Sequence, residues 1–258
     1  KIFPKKKKIF TVGTEELLEL SSFDIILMRQ DPPFDLSYIT ATHLLEHVHP
    51  KTLVVNNPIN VRNSPEKLLV THFDDLLPPT LITSDQIEIM AFREKYKDLI
   101  IKPIFGNGGV DVFHIGPEDE NLNALLSMFA EKYNEPIILQ QYIPEVRVGD
   151  KRIILVDGKP VGAVLRLPPL GDARANFHAG GTAKKTELTQ REIEICEIIG
   201  PTLSERGLIF VGIDVIGNYL TEINVTSPTG IQEINALDGS NLEKNVWNAI
   251  EMHYNKNF

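Results

Sequence analysis

The sequence predicts an α/β protein assembled from α+β lobes around one site, and three observations carry that expectation. The apolar-centred runs Asp24–Met28 and Thr52–Asn56 flank a helical stretch, the pattern of parallel strands joined by a crossover helix. Two pairs of strands meet at the two-residue turns Asp157-Gly158 and Gly217-Asn218, the mark of antiparallel hairpins. Between these blocks, strands and helices alternate around a glycine-rich turn at Phe105–Asp111. A chain of 258 residues suffices for two or three such lobes, with boundaries expected at 1–63, 64–143 and 144–258.

Taken in order, Lys5-Lys6-Lys7-Lys8 reads as a solvated surface loop. A lobe of this kind normally opens on its own buried strand, so the first lobe is expected to lack its opening portion. Glu15–Ser21 reads as a short helix. Asp24–Met28 reads as a strand buried on both faces. Arg29-Gln30-Asp31-Pro32-Pro33-Phe34-Asp35 follows, where two prolines forbid regular structure. That loop stands at the C-terminal end of a strand, where open α/β sheets bind ligands. Ile39–His47 is a helix and Thr52–Asn56 a second strand. Ser64 and Pro65 are expected to cap and open a helix. Pro78-Pro79 leads an extended segment to Ile82, Ser84–Tyr96 is helical, and Leu99–Pro103 is a strand carrying one lysine. Val112–Ile115, the helix Asn121–Tyr133 and the strand Ile137–Ile143 complete the middle block. Lys151–Val156 and Val161–Arg166 form one hairpin, then Pro168–Lys185 is a long irregular segment. The helix Thr189–Arg206, the hairpin Phe210–Ile216 with Tyr219–Asn224, and the helix Leu242–Tyr254 close the chain.

Composition narrows the function. Hydrophobic content of 42% and charged content of 24% fit a globular protein. No apolar run nears the roughly 20 residues of a membrane span, and no secretory signal opens the chain. A net charge of −9 argues against a nucleic-acid binder. The single cysteine, Cys196, excludes an internal disulfide and suits a reducing compartment such as the cytosol. Its apolar neighbours at helical spacing mark it as a core thiol.

Asp214, Glu222 and Asn224 form the most informative cluster. Glu222 and Asn224 are two apart on one strand and so share a face, and the hairpin brings Asp214 opposite them. Two carboxylates and an amide oxygen are hard ligands suited to Mg²⁺ bridging nucleotide phosphates; solvent-facing acids are the bland alternative. Lys67 and Lys102 are candidate phosphate contacts, Lys102 because it interrupts an apolar strand just before Gly106, Gly108 and Gly109. Glycines there let backbone N–H groups fold over an anion, though an ordinary loop has the same composition. Neither a P-loop nor a dinucleotide fingerprint is present. Gln140 to Ile143 end a strand between lobes and could face an adenine. Arg166, Arg174 and the stretch Asn176-Phe177-His178-Ala179-Gly180-Gly181-Thr182 lie in or beside the long segment, a candidate lid whose arginines could grip a carboxylate or oxyanion. Arg29, Asp31 and Asp35 could hold a second substrate.

The segments MRQDPPFD, VVNNP, EKLL, IIKPIFGNGG, LQQYIP, GDKRIILVDG, RLPPLGDARANFHAGG, RGLIFVGIDVIG and LTEINVTSPTGI together resemble the bacterial glutathione synthetase family, of the ATP-grasp superfamily. The resemblance runs from about Asp24 to Ile250. It implies an ATP-grasp fold with a partial N-terminal parallel βαβ substrate lobe, a central lid lobe and a C-terminal catalytic lobe. It implies an ATP-dependent carboxylate–amine ligase that joins γ-glutamylcysteine to glycine through an acyl phosphate, with two Mg²⁺ ions or Mn²⁺ in their place, in a cytoplasmic tetramer. By the same resemblance, Lys67 and Lys102 are the phosphate lysines, Gln141, Tyr142 and Ile143 the adenine hinge, and Asp214, Glu222 and Asn224 the metal ligands. Arg152, Arg166 and Arg174 surround the acyl phosphate. Arg29, Asp31, Asn176, Gly180, Gly181, Ser227 and Thr229 fall to substrate. Gln30 stands where the family pattern has lysine, and Thr182 where it often has arginine, with Lys184 nearby. Another ATP-grasp amino-acid ligase and a non-catalytic ATP-binding protein are the alternatives.

Overall fold

A computed structural model of the chain describes residues 2–5, 8–171, 174–177 and 180–257. The lysine-rich start is a hairpin of β1 (Ile2–Lys5) and β2 (Lys8–Val12) where a loop is expected; Lys6 and Lys7 lie outside the described residues. The helix expected over Glu15–Ser21 is absent, and only a single 3₁₀ turn forms at Leu20–Ser22. Leu17 is fully exposed there, so a helix in this stretch has no apolar face to bury and too few residues to stand alone.

β3 (Ile25–Leu27) pairs in parallel with β4 (Leu53–Val55), and α1 (Leu36–Glu46) connects them. Asp35 caps α1, its carboxylate accepting the Tyr38 N–H at 2.9 Å. β4 is buried throughout, but Leu27 on β3 is half exposed. The expectation of burial on both faces thus fails for β3, whose one strand neighbour among the described residues is β4. Asn57 caps the unexpected α2 (Pro58–Arg62), with Pro58 at its first position. α3 (Glu66–Leu69) is a single turn capped by Pro65. Ser64 does not cap it; its hydroxyl instead accepts from Arg206 at 3.4 Å.

The middle block forms an antiparallel sheet in the order β5-β8-β6-β7 from β5 (Thr80–Thr83), β6 (Leu99–Pro103), β7 (Phe113–Ile115) and β8 (Ile137–Gln141). The helices α4 (Gln86–Tyr96) and α5 (Leu122–Lys132) cover one face. Alternation decides which residues go where. Leu99, Ile101, Ile115 and Leu139 pack with Ile89 and Phe129 of the helices. Ile100, Lys102, His114 and Gln140 stand on the other face, which lines a cleft.

The larger sheet has the order β11-β10-β9-β12-β13 and is antiparallel throughout. Its strands are β9 (Asp150–Val156), β10 (Lys159–Leu167), β11 (Thr182–Lys185), β12 (Phe210–Ile216) and β13 (Tyr219–Asn224). β9 is central and buried along its length. Its Ile153 and Leu155 join a core with Ile195, Cys196, Ile199 and Leu203 of α6 (Gln190–Glu205) and with Met28, Tyr38, Val54 and Leu69. Ile154 and Val156 face the opposite way, toward Ile234 of α7 (Ile231–Asp238) and Leu242, Ala249 and Ile250 of α8 (Leu242–Asn257). Thr189 and Glu192 form a capping box on α6. Gly158, at φ +75°, approaches Gly200 of α6 so closely that a Cβ would lie 2.4 Å from its carbonyl oxygen. β11 and α7 are additions to the expected elements. No helix among the described residues is long and apolar enough to cross a membrane.

Candidate active site

A cleft of about 1180 Å³ lies between the polar face of the four-stranded sheet and one face of the larger one. Its floor is built by strand register. Arg152 on β9 is paired with Asp214 on β12, and Asp214 with Glu222 on β13. Gly212 is paired with Asn224, so Asn224 and Glu222 reach the same face as expected. Arg152 donates to both Asp214 oxygens, at 2.5 and 2.9 Å. Arg166 stands 3.0 Å from Asp214 Oδ1 and also donates to Asp150. Asn224 donates to Asp214 Oδ2 at 3.3 Å.

Burial would push the Asp214 pKa up, but Arg152 and Arg166 overcome it and hold the carboxyl well below the usual range. Asp150 goes the other way, raised by burial against the opposing pull of Arg166. Both residues line the cleft, and their buried atoms Asp150 Oδ1 and Arg166 Nε have no hydrogen-bond partner among the described residues. Among the described residues no three acids, histidines or cysteines form a ready metal cage. Asp214, Glu222 and Asn224 still fit a hard divalent ion that takes its other ligands from phosphate and water.

Lys67 Nζ donates to the carbonyls of Pro103 and Gly106, at 3.1 and 2.9 Å, and so pins the start of the glycine-rich turn. Lys102 Nζ donates to Gln140 Oε1 at 3.1 Å, and burial lowers its pKa to about 8. Gly108 and Gly109 have φ of 63° and 79°, a region that favours glycine. A Cβ on Gly109 would meet Asn176 Oδ1 at 3.0 Å and Arg174 Cδ at 3.1 Å. The long segment therefore lies against the turn, and Arg174 donates to the Gly109 carbonyl at 3.3 Å. Gly180 and Gly181 shape that segment rather than line the cleft: the Gly181 N–H bonds the Asn176 carbonyl at 3.1 Å. His178 lies outside the described residues.

At the far end, Gln141 and Tyr142 give their backbone N–H groups to the carbonyls of Pro79 and Asp98, both at 2.9 Å. The Ile143 N–H has no such partner among the described residues. At the other end, Ser227 Oγ donates to Asp31 at 3.4 Å and Arg29 to the Pro228 carbonyl at 3.0 Å. The Thr229 carbonyl accepts from Arg152 at 3.2 Å. Arg29 lies outside the main cleft, in an adjoining hollow of about 500 Å³ that shares Thr226, Pro228 and Thr229 with it.

Among the cleft residues that escape the sequence reading are four with chemistry of note: Glu66, Asp150, His114 and Arg147. Glu66 is half-buried, accepts from Thr226 Oγ1 at 2.6 Å, and has its pKa pushed up by desolvation to about 7. Two of the four left a signal. Asp150 is two residues from Arg152 on a strand, hence on its face, and His114 is the one polar side chain in Phe113–Ile115.

Two family models match the chain: the prokaryotic glutathione synthetase N-terminal domain over residues 1–62 and its ATP-grasp domain over 66–239. The chain is 59% identical over 242 residues to a glutathione synthetase of Agrobacterium fabrum, covering 94% of this chain and 76% of the relative. It is 56% identical over 247 residues to one of Mesorhizobium japonicum, covering 96% and 79%. A solved D-cycloserine synthetase has a similar fold at 15% identity, with a TM-score of 0.65 over 94% of this chain and 86% of that one.

Proposed function

Since the chain belongs to the prokaryotic glutathione synthetase family, an ATP-dependent ligase that forms glutathione from γ-glutamylcysteine and glycine with a divalent metal, we propose that the cleft between its two antiparallel sheets carries both half-reactions. One observation supports this above the others. The hard-oxygen set Asp214, Glu222 and Asn224, the lysines 67 and 102, and the arginines 152 and 166 all line a single cleft.

In this reading the adenine rests against Gln141, Tyr142 and Ile143, with the free Ile143 N–H turned to the base. Lys102, Lys67 and the glycine turn (Gly106, Gly108, Gly109) hold the phosphates. Asp214, Glu222 and Asn224 would hold the divalent metal, two Mg²⁺ ions or Mn²⁺ in their place, which would supply charge neutralisation at the phosphates. The cysteinyl carboxylate of γ-glutamylcysteine attacks the γ-phosphorus and ADP leaves. The glycine amine then attacks the acyl carbon, loses its proton, and phosphate departs. Arg152 and Arg166 are held in place by Asp214 and Asp150 before substrate arrives. They need little reorganisation to meet the developing oxyanion, an effect worth about 3–4 kcal/mol per donor. Arg174 and Asn176 cover the site and keep water from the acyl phosphate, on a segment whose turn Gly180 and Gly181 shape. Asp31, Ser227 and Thr229 orient the dipeptide, with Arg29 bracing their loop through Pro228.

The division into lobes at 1–63, 64–143 and 144–258 belongs to the same proposal, as do a homotetramer and a cytoplasmic setting. The test is phosphate release from MgATP with γ-glutamylcysteine, with and without glycine. Release that needs all three, matched by glutathione, is expected. Equal release with a different carboxylate and amine would move the function to another amino-acid ligase, and nucleotide binding without release to a non-catalytic binder.

A further inference from the structure

His114 sits on β7 opposite Ile100, on the cleft face of the small sheet. Its Nε2 lies 2.6 Å from Asp98 Oδ1. Its ring stacks on Tyr142, with centroids 4.0 Å apart and planes 24° off parallel. The Asp98 carbonyl also accepts the Tyr142 N–H, and the Tyr142 hydroxyl accepts from Arg147 Nε at 2.8 Å. One residue, Asp98, thus fixes both the hinge backbone and the imidazole beside it. A carboxylate only accepts hydrogen bonds, so the proton of the neutral ring must sit on Nε2. In that tautomer Nδ1 is a lone-pair acceptor on a side chain that lines the cleft beside Tyr142. An acceptor there matches a base that presents an amino group and opposes one that presents a carbonyl. Adenine carries an amino donor at the position where guanine carries an oxygen acceptor.

We propose that His114, locked in this tautomer by Asp98, accepts a hydrogen bond from the exocyclic amino group of the nucleobase and so sets the preference for ATP. The contact rests on the reading of Gln141–Ile143 as the base hinge.

The experiment compares kcat/KM for ATP with that for purine riboside 5′-triphosphate, which lacks the amino group, in wild type and in His114→Phe. Phenylalanine keeps the ring stacked on Tyr142 and removes the nitrogen. Wild type should prefer ATP, and His114→Phe should shrink that preference about three- to tenfold, the range for losing one hydrogen bond, through a higher KM for ATP. Asp98→Asn can donate to Nε2 and shift the ring proton to Nδ1, so it should shrink the same preference and raise the use of GTP relative to ATP. An unchanged preference in both variants overturns the proposal. So does an equal fall with both nucleotides in His114→Phe, which would reduce His114 to packing and leave the hinge reading intact. Equal use of both nucleotides by wild type would overturn the proposal and leave the hinge reading, which rests on the Ile143 N–H and the purine ring, in place.

Discussion

Replacing Lys102 with methionine should make the ligand-free protein more stable and the nucleotide-bound protein much weaker. Lys102 is 6% exposed, and its ammonium gives one hydrogen bond, to Gln140. Burial lowers its pKa from 10.5 to about 8, against the attraction of Glu222. At about 1.4 kcal/mol per tenfold change in proton affinity, holding this charge costs the fold about 3 kcal/mol at pH 7. Methionine keeps the apolar stem but leaves the Gln140 oxygen without its donor, a loss of about 1 kcal/mol. The net gain of about 2 kcal/mol corresponds to a melting temperature about 5 °C higher in a chain of this size. The sign with pH follows from linkage. The unfolded chain holds this proton up to pH 10.5 and the folded one only to about 8. Folding therefore releases a proton in that window, and wild type gains stability there as pH rises. The advantage of Lys102→Met should thus be full below pH 8 and narrow above it. Differential scanning fluorimetry at pH 7 and 9.5 measures this, and the same scan with Mg²⁺ and a non-hydrolysable ATP analogue reads affinity. Loss of a charged hydrogen bond to phosphate predicts about ten- to hundredfold weaker binding. A lower melting temperature at pH 7, or an undiminished shift with nucleotide, would refute the reasoning.

Glu222→Gln should abolish turnover while circular dichroism and melting stay near wild type; near-normal glutathione formation would remove Glu222 from the metal set. Glu66 holds its proton more tightly folded, at about 7, than the ordinary 4.5, so its contribution to stability is full at low pH and lost as pH rises through 7. Glu66→Gln should therefore gain on wild type between pH 5 and 8, by at most about 3 kcal/mol, as read by urea titration at both values. Gly158→Ala places a Cβ 2.4 Å from the Gly200 carbonyl at positive φ and should lower stability by about 2–4 kcal/mol without changing the KM for ATP. Cys196 is 1% exposed and its thiol is pushed up to about 12 by burial; it should react with a thiol reagent only after unfolding.

The parts of the fold written in short-range patterns were legible. The two turns at Asp157-Gly158 and Gly217-Asn218 place both hairpins of the larger sheet, and their register brings Asp214 to Glu222. What stayed hidden depends on contacts distant in sequence. Nothing local distinguishes Glu15–Ser21, which lacks a surface to pack on, from α7, which finds one on β10. β11 exists because Val164–Leu167 leaves an open edge for Thr182–Lys185, a fact about pairing and not about residues 182–185. In the site, residue types pointed to the proposed metal ligands and to the lysines that line the cleft. The clasp of Asp214 by Arg152 and Arg166 arises only when three strands align. Arg29 carries the general lesson in reverse: its motif points to the substrate site, but its guanidinium lies over the Phe210 ring, 5.2 Å from the centroid, and braces Pro228.

Anomalous scattering from crystals grown with Mn²⁺ and a non-hydrolysable ATP analogue tests the central claim most directly. Two manganese peaks are expected about 2.1 Å from oxygens of Asp214, Glu222 and Asn224 and from the analogue's phosphates. Manganese bound elsewhere, with no peak beside Asp214, Glu222 or Asn224, would contradict the account.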